Sequence, residues 1–323
     1  MFENSSTKPV EEGLVSTIIP VYNRPEMVSE AIHSVLAQDY RPIEIIVVDD
    51  GSTDSTPRVL AELTDQYPEL KVLSQQNAGP GVARQLGLES ASGEFIQYLD
   101  SDDLLLPIKF TRQVEALRKQ PECAVAYGKT TLKTSTDNDS NTALKRTGEK
   151  IETMFPAFIR SRWWSTHTPL YRHQHLQKIG PWLSLQNEED WEYDCRVAAL
   201  GTRLAFVDEY VSITRRHENH LSTGGGFDRA KLRDRCCARE HMSNSAQSSV
   251  IPIPQEDREF FSKSVFLLGR QCAAVGLNEE AEKMIQLSVN AAGAANYKHR
   301  IFRLAVKILG WRAAARLVTM INR

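Results

Sequence analysis

Short apolar runs alternate with helical patterns over the first hundred residues of the chain. Runs of strand length, rich in β-branched and aromatic residues, occupy four segments: residues 15–21, 43–48, 70–73 and 95–99. Between them apolar residues recur at helical spacing, and Pro25 and Pro57 stand where helices begin, since proline fits the first helical turn. Strands separated by helices predict crossover connections. We therefore expect an α/β fold with a mixed, mostly parallel sheet and helices on both faces.

Polar clusters follow three of these predicted strands. They are Tyr-Asn-Arg at residues 22–24, Asp-Asp at residues 49–50 and Asp-Ser-Asp-Asp at residues 100–103. In open α/β sheets the ligand crevice lies beyond the carboxyl ends of the strands. We therefore expect acidic and aromatic side chains to meet a ligand there.

Two carboxylates one residue apart, Asp100 and Asp102, form the sharpest of these signals. They can direct oxygen ligands at a hard divalent cation, or they can cap the helix that follows. The run Gly79-Pro80-Gly81 follows the third strand and carries Arg84 in place of a third glycine, so it is not a dinucleotide fingerprint. No GxxxxGK[ST] loop is present either, which leaves a metal and arginine to hold phosphates.

Each neighbouring polar residue has two interpretations. Asp50 can accept a hydrogen bond from a nucleotide base, or it can simply serve, with Asp49, the turn that Asp-Gly-Ser favours. Tyr22 can stack on a base or pack in the fold. Arg84 can reach a diphosphate or lie on a solvated helix face.

Four segments together resemble glycosyltransferase family 2: residues 15–24, 47–54, 77–84 and 98–103. The resemblance implies a GT-A fold, inverting transfer from a nucleoside-diphosphate sugar with UDP favoured, and a requirement for Mn²⁺ or Mg²⁺. Carried over residue by residue, it implies donor-binding roles for Pro20, Tyr22, Asp49, Asp50, Arg84 and Asp100. It also implies that Asp102 is a metal ligand.

Two later segments extend this resemblance. Inverting transfer requires a general base, and residues 187–194 are similar to the family's Glu-Asp-Trp motif, which implies Asp190 as that base. Glu189 is the alternative, and Glu188 leaves the register open. Acids at the start of a helix can also merely complement its dipole. Residues 215–222 resemble the family's arginine-histidine stretch, which implies that His217, with His220 as competitor, completes the metal shell.

The acceptor side is less defined. Residues 130–150 are polar and lack periodicity, which predicts a loop or an irregular hairpin. Trp163 and Trp164 are interpreted either as core residues or as a wall on which an acceptor sugar stacks. The resemblance implies a glycan or a lipid-linked molecule as acceptor.

Helical patterns replace the family motifs after residue 225. We therefore expect a GT-A domain over residues 1–225, with a donor half at about 14–128 and an acceptor half at about 150–225, and a helical region over residues 226–323. Residues 298–323 carry Lys and Arg but no acid and include an apolar face, which Gly310 interrupts. This basic segment predicts contact with a membrane surface or, equally, a helix packed on the domain.

Composition narrows the function class. A net charge of −2 gives no reason to expect nucleic acid as a partner. The start of the chain lacks a signal-peptide pattern, no apolar run reaches the roughly 18 residues of a membrane span, and the five cysteines form no CxxC pair. We expect a cytoplasmic location, at the inner face of the membrane if the basic segment binds lipid.

Two other functions compete with glycosyl transfer. A sugar nucleotidyltransferase should carry a glycine-rich basic loop after the first strand, where this chain has Val21-Tyr22-Asn23. A non-catalytic nucleotide-sugar-binding protein needs no general base, so the presence of Glu189 and Asp190 argues against it.

Overall fold

A computed structural model of the protein describes residues 10–133, 142–216, 228–293 and 297–315. The chain divides into two compact units, each built from separate stretches of sequence. Unit 1 comprises Met1–Glu152, Trp163–Ser184 and Thr202–Asn219. Unit 2 comprises Thr153–Arg162, Leu185–Gly201 and His220–Arg323. The domain boundary expected near residue 225 stays a prediction.

Strands and helices alternate through the first part of the chain. In order they are β1 (Glu11–Val21), α1 (Pro25–Leu36), β2 (Ile43–Asp49), α2 (Thr56–Thr64), β3 (Leu70–Ser74), α3 (Pro80–Ser90), β4 (Gly93–Tyr98), β5 (Leu104–Leu105), α4 (Lys109–Lys119) and β6 (Cys123–Lys133). The later elements are α5 (Ala157–Arg160), β7 (Leu170–Arg172), α6 (His173–Leu176), α7 (Glu189–Ala199), β8 (Arg203–Arg215), α8 (Arg229–Gln247), α9 (Gln255–Ala274), α10 (Asn278–Ala292) and α11 (Tyr297–Leu309).

All the strands described join one sheet in unit 1, in the order β3-β2-β1-β4-β7-β6-β8-β5. Strands β1, β2, β3 and β4 pair in parallel, as do β6 and β8. Strand β7 runs antiparallel to β4 and β6, and β5 runs antiparallel to β8. The predicted mixed, mostly parallel α/β sheet is therefore confirmed.

Helices cover both faces of this sheet. Val15 and Ile19 of β1 belong to a core cluster with apolar residues of α1, α2 and α4. Ile18 points to the opposite face, because successive strand side chains alternate. There it meets α3 at Gly87, where an added Cβ would lie 2.4 Å from Ile18 Cγ2. A glycine at this position lets α3 approach the sheet closely, and α3 begins at the edge where the strands end.

The acceptor side contains a longer strand than the sequence predicts and two buried tryptophans. Strand β6 extends to Lys133 and pairs with β8 along residues predicted as loop. The polar side chains fit because they bond across strands: Thr130 Oγ1 lies 2.9 Å from Ser212 Oγ and 2.7 Å from Thr168 Oγ1. Trp163 and Trp164 are 2% and 0% exposed, so both are core residues and not an exposed sugar-stacking wall.

Unit 2 is helical. Helices α9 and α10 approach closely at Gly269, where an added Cβ would lie 3.0 Å from Ile285 Cδ1. Helix α11 ends at Leu309, and Gly310 has a φ of +75°, which confirms the predicted interruption. Over the residues that the structure describes, every helix is too short or too polar to cross a membrane.

Candidate active site

Hydrogen bonds from backbone N–H groups to side-chain oxygens join the loop after β1 to the loop after β2. Asn23 N donates to Ser52 Oγ at 2.9 Å, and Thr53 N donates to Asn23 Oδ1 at 2.8 Å. Asn23 has a φ of 51°, a left-handed conformation that asparagine tolerates. Tyr22 is 39% exposed at this junction, so part of the residue is open to solvent, and its role toward a base stays a prediction. Pro20 is buried inside β1.

Asp50 organises the loop that leads into α3. Its Oδ1 accepts hydrogen bonds from Gln75 Nε2 at 2.7 Å and from Ala78 N at 2.8 Å, and its Oδ2 accepts one from Gly79 N at 2.9 Å. Three of about four acceptor positions are thus filled by the protein, which leaves one for a ligand donor. Asp49 Oδ1 accepts from Ser52 N at 3.0 Å, which is the turn interaction that its sequence context favours.

Arg84 is only 3% exposed, so it does not lie on a solvated helix face. Its Nη2 lies 2.6 Å from Asp100 Oδ1, and its guanidinium carbon lies 4.9 Å from the centre of the Trp182 ring. Burial alone would raise the pKa of Asp100, but the charge and the hydrogen bond of Arg84, with a smaller contribution from His167, together outweigh it, and the pKa is lowered below its usual value. Asp100 is therefore held as a carboxylate at the end of β4.

The rest of the acidic loop, residues 100–103, makes two further pairs. Asp102 Oδ2 lies 2.5 Å from Arg24 Nη1, and Asp103 Oδ2 lies 2.8 Å from His167 Nδ1. Asp103 Oδ1 also accepts a hydrogen bond from Arg215 N at 2.9 Å. The next helix begins only at Lys109, so these acids do not cap a helix and that interpretation is wrong.

Three potential metal ligands converge at this loop. The ligand atoms of Asp100, Asp103 and His167 all lie within 4.8 Å of one another. Two carboxylates and one imidazole are a donor set that Mn²⁺ accepts, so the residues fit the expected cation. The sequence predicts Asp102 as a metal ligand. This set of three does not include Asp102, so its role as a ligand stays a prediction. His217 and His220 lie outside the described residues.

The predicted base lies in unit 2, at the first turn of α7. The Asp190 side chain is 25% exposed, whereas Glu189 is 7% exposed, so Asp190 is the more accessible acid. Arg162 forms an ion pair with Asp190 through Nη1, and its Nε lies 3.1 Å from Asp194 Oδ2. Asp194 is buried, with a side chain 1% exposed, and therefore fixes the guanidinium between the two carboxylates.

Glu188, the acid that left the register open, has a structural role. It precedes α7 in a left-handed conformation with a φ of 62°. Its carboxylate forms ion pairs with Arg235 at 3.2 Å and Arg239 at 3.1 Å, both on α8. These contacts fix the start of α7 against α8. Asp190 does not share them, because it pairs with Arg162 instead.

Several residues of these two sites had no role assigned from sequence. Arg24 and Asp103 lie inside the quoted motifs, so their presence was a usable signal. His167 and Arg162 flank the two tryptophans, and only the folded chain reveals that they contact acids.

Comparison with known proteins identifies the family. Residues 16–176 match the family described as Glycosyl transferase family 2. The chain belongs to glycosyltransferase family 2. The matched segment includes β1 to β4 and the acidic loop, and it ends before α7.

Several relatives of this family 2 member align with part of its length. An uncharacterized glycosyltransferase of Nostoc sp. is 44% identical over 114 residues, which are 35% of each chain. One from Haemophilus influenzae is 40% identical over 102 residues, or 31% of this chain and 41% of the relative. An uncharacterized protein of Mycobacterium bovis is 28% identical over 242 residues, or 74% and 68%. The chain thus spans about a third of the length of the Nostoc relative.

Solved structures establish the fold. S. aureus TarS 1-349 in complex with UDP-GlcNAc has a TM-score of 0.68 at 18% identity, covering 95% of this chain and 91% of that one. The mannosyltransferase PcManGT from Pyrobaculum calidifontis, in complex with GDP-Man and Mn²⁺, has a TM-score of 0.54 at 16% identity, covering 98% and 90%. At such identities the likeness concerns the fold, which is the GT-A type expected, with further helices after it.

Proposed function

We propose that the protein is an inverting glycosyltransferase that moves a sugar from a nucleoside-diphosphate sugar to a hydroxyl of a glycan or a lipid-linked acceptor. The observation that carries this proposal is the group of residues at the strand ends of a family 2 fold: exposed Tyr22, Asp50 with one free acceptor position, and the pair of buried Arg84 with partly exposed Asp100. UDP is favoured as the nucleotide, since TarS has been solved with UDP and with UDP-GlcNAc.

The donor half of the mechanism rests on unit 1. Tyr22 stacks on the base, Asp50 accepts from a base N–H, and Pro20 and Asp49 line the same strand ends. Arg84 holds Asp100 as a carboxylate toward the ribose. A divalent cation at the acidic loop, ligated by Asp102 or by the set Asp100, Asp103 and His167, would offset the charge of the departing diphosphate.

The acceptor half rests on Asp190. As the acceptor oxygen forms its bond to the anomeric carbon, its proton passes to the Asp190 carboxylate. The bond from that carbon to the diphosphate oxygen breaks on the opposite side, so the configuration inverts. Arg162 keeps the Asp190 carboxylate in place, and Asp194 holds Arg162.

A turnover assay tests this proposal. Purified protein is given UDP-, GDP- or dTDP-sugars, with and without Mn²⁺, and lipid and glycan extracts as acceptors; the released nucleoside diphosphate is measured. Release that requires Mn²⁺ and increases with an acceptor supports glycosyl transfer. Donor binding with no release in any combination would make the protein a binding module, and formation of sugar nucleotide from sugar phosphate would make it a nucleotidyltransferase.

A further inference from the structure

Helix α11 is fastened to unit 2 by one of its faces. His299 and Phe302 are buried, and the Phe302 ring lies 5.7 Å from that of Phe266. His299 Nε2 also lies 2.7 Å from Ser288 Oγ of α10. Arg303 Nη2 donates to Gln286 Oε1 at 2.8 Å on the same helix. The sequence-based alternative of a helix packed on its domain is thus correct for this face.

A second face of α11 is apolar and exposed. Tyr297, Ile301, Leu304 and Ile308 are 67%, 56%, 58% and 70% exposed. Their spacing of four, three and four residues places them in one row along the helix, which we call the α11 stripe. Of the eleven large exposed apolar side chains among the described residues, five lie on α11, so exposure is concentrated there and not scattered as on an ordinary surface.

Positive charge accompanies the α11 stripe. Lys298, Arg300 and Lys307 are exposed on the same helix, and residues 297–315 contain no Asp or Glu. A second copy of the chain docked on this face would bring its own basic residues against these, which disfavours self-association. An anionic surface offers the complementary charge.

We propose that the α11 stripe inserts into the headgroup region of an anionic phospholipid membrane. The apolar row enters the boundary between headgroups and acyl chains, and Lys298, Arg300 and Lys307 contact lipid phosphates. The binding is peripheral and reversible. This inference does not depend on the proposed reaction, because it uses only residues of α11.

Sedimentation with vesicles tests the proposal on the full chain. Vesicles of phosphatidylcholine mixed with phosphatidylglycerol should carry the protein down at low salt, and vesicles of phosphatidylcholine alone should not. The pair Leu304→Gln and Ile308→Gln should lower the partition coefficient about tenfold or more. The pair Arg300→Gln and Lys307→Gln should lower it about 25-fold, since each basic residue contributes about fivefold.

Matched controls come from exposed residues elsewhere in unit 2. Val250→Gln with Leu267→Gln removes equally exposed apolar groups, and Lys263→Gln with Lys283→Gln removes exposed charge; both pairs should sediment like the unmodified chain. Circular dichroism checks that every variant keeps its helix content. The proposal is overturned if the unmodified chain does not bind anionic vesicles, or if the stripe variants and the control variants bind them equally. It is also overturned if the substitutions in the α11 stripe dissociate a dimer of this chain instead.

Discussion

Two acids of unit 1, Asp50 and Asp103, are held differently from Asp190 of unit 2, whereas Asp100 and Asp102 resemble Asp190 in pairing with arginine side chains. In unit 1, Asp50 and Asp103 accept backbone N–H groups, so their positions are fixed by the main chain. In unit 2, Asp190 is held by the Arg162 side chain and by the N–H of the next residue. A carboxylate fixed by the backbone suits the organisation of a donor and a cation. One held mainly by a side chain can keep an oxygen for an incoming proton.

The two regions also differ in how far the family match supports them. The match at residues 16–176 includes the acidic loop but not α7. The match to the family model therefore supports the assignment of the donor site. The assignment of Asp190 as the base depends on a local motif and on the geometry of unit 2.

The largest expected effect is on proton removal. Asp190→Asn should lower turnover by about 10²-fold or more, because the amide cannot accept the acceptor proton. The matched substitution Glu189→Gln should lower turnover much less, since the buried Glu189 side chain is not accessible to an acceptor hydroxyl. Steady-state release of nucleoside diphosphate measures both. If Glu189→Gln is damaging and Asp190→Asn is not, the base is one residue earlier than we propose.

The next effect concerns the cation. Asp100→Ala and Asp102→Ala should each remove the Mn²⁺-dependent part of donor affinity, by about tenfold or more, as measured by calorimetry. Asp103→Ala distinguishes the alternative ligand set of Asp100, Asp103 and His167: if that set binds the cation, Asp103→Ala should lower donor affinity as much as Asp100→Ala does. Asp65→Ala, an exposed acid of α2's C-terminal end, is the control. If donor affinity is unchanged in both Asp100→Ala and Asp102→Ala, the acidic loop is not the cation site.

A smaller effect should follow from loosening the base. Arg162→Gln leaves Asp190 without its cationic partner, and we expect kcat to fall about tenfold while the KM for the donor stays the same. Arg162→Lys should restore part of kcat. The control is Arg196→Gln, which removes another ion pair of α7, to Glu192 at 2.7 Å. A fall in kcat no greater than that of this control would assign Arg162 a structural role only.

The smallest effect is on stability and concerns a cation buried in unit 1. Lys109 is fully buried, and burial lowers its pKa well below the usual value. Between the folded and unfolded pKa values the unfolded chain binds more protons, so stability rises with pH toward about 10.5. Lys109→Met should remove this rise, of up to about 1.4 kcal/mol per pH unit, in denaturant unfolding followed over alkaline pH. Lys263→Met, at an exposed position, should leave the slope unchanged.

Local patterns were enough to predict the donor half of the fold. Helix α1 begins at Pro25 and strand β2 begins at Ile43, as the sequence indicates, because proline position and apolar run length are local properties. The polar pattern at residues 130–133 predicts a loop or an irregular hairpin, because the strand found there exists only through pairing with β8, some 80 residues later. The acidic loop could be located in the same way, because it directly follows the apolar run that predicts β4. The pairs Arg24–Asp102, Asp103–His167 and Arg162–Asp190 join distant residues, so only the folded chain reveals them.

We propose that the strand ends of the sheet bind the donor and that Asp190 removes the acceptor proton. Calorimetric titration of Asp190→Asn with a UDP-sugar and Mn²⁺, set beside its turnover, tests this most directly. We expect a donor dissociation constant within about twofold of that of the unmodified chain, together with turnover lowered about 10²-fold or more. Loss of donor affinity in step with turnover would contradict it, because Asp190 would then belong to the donor site.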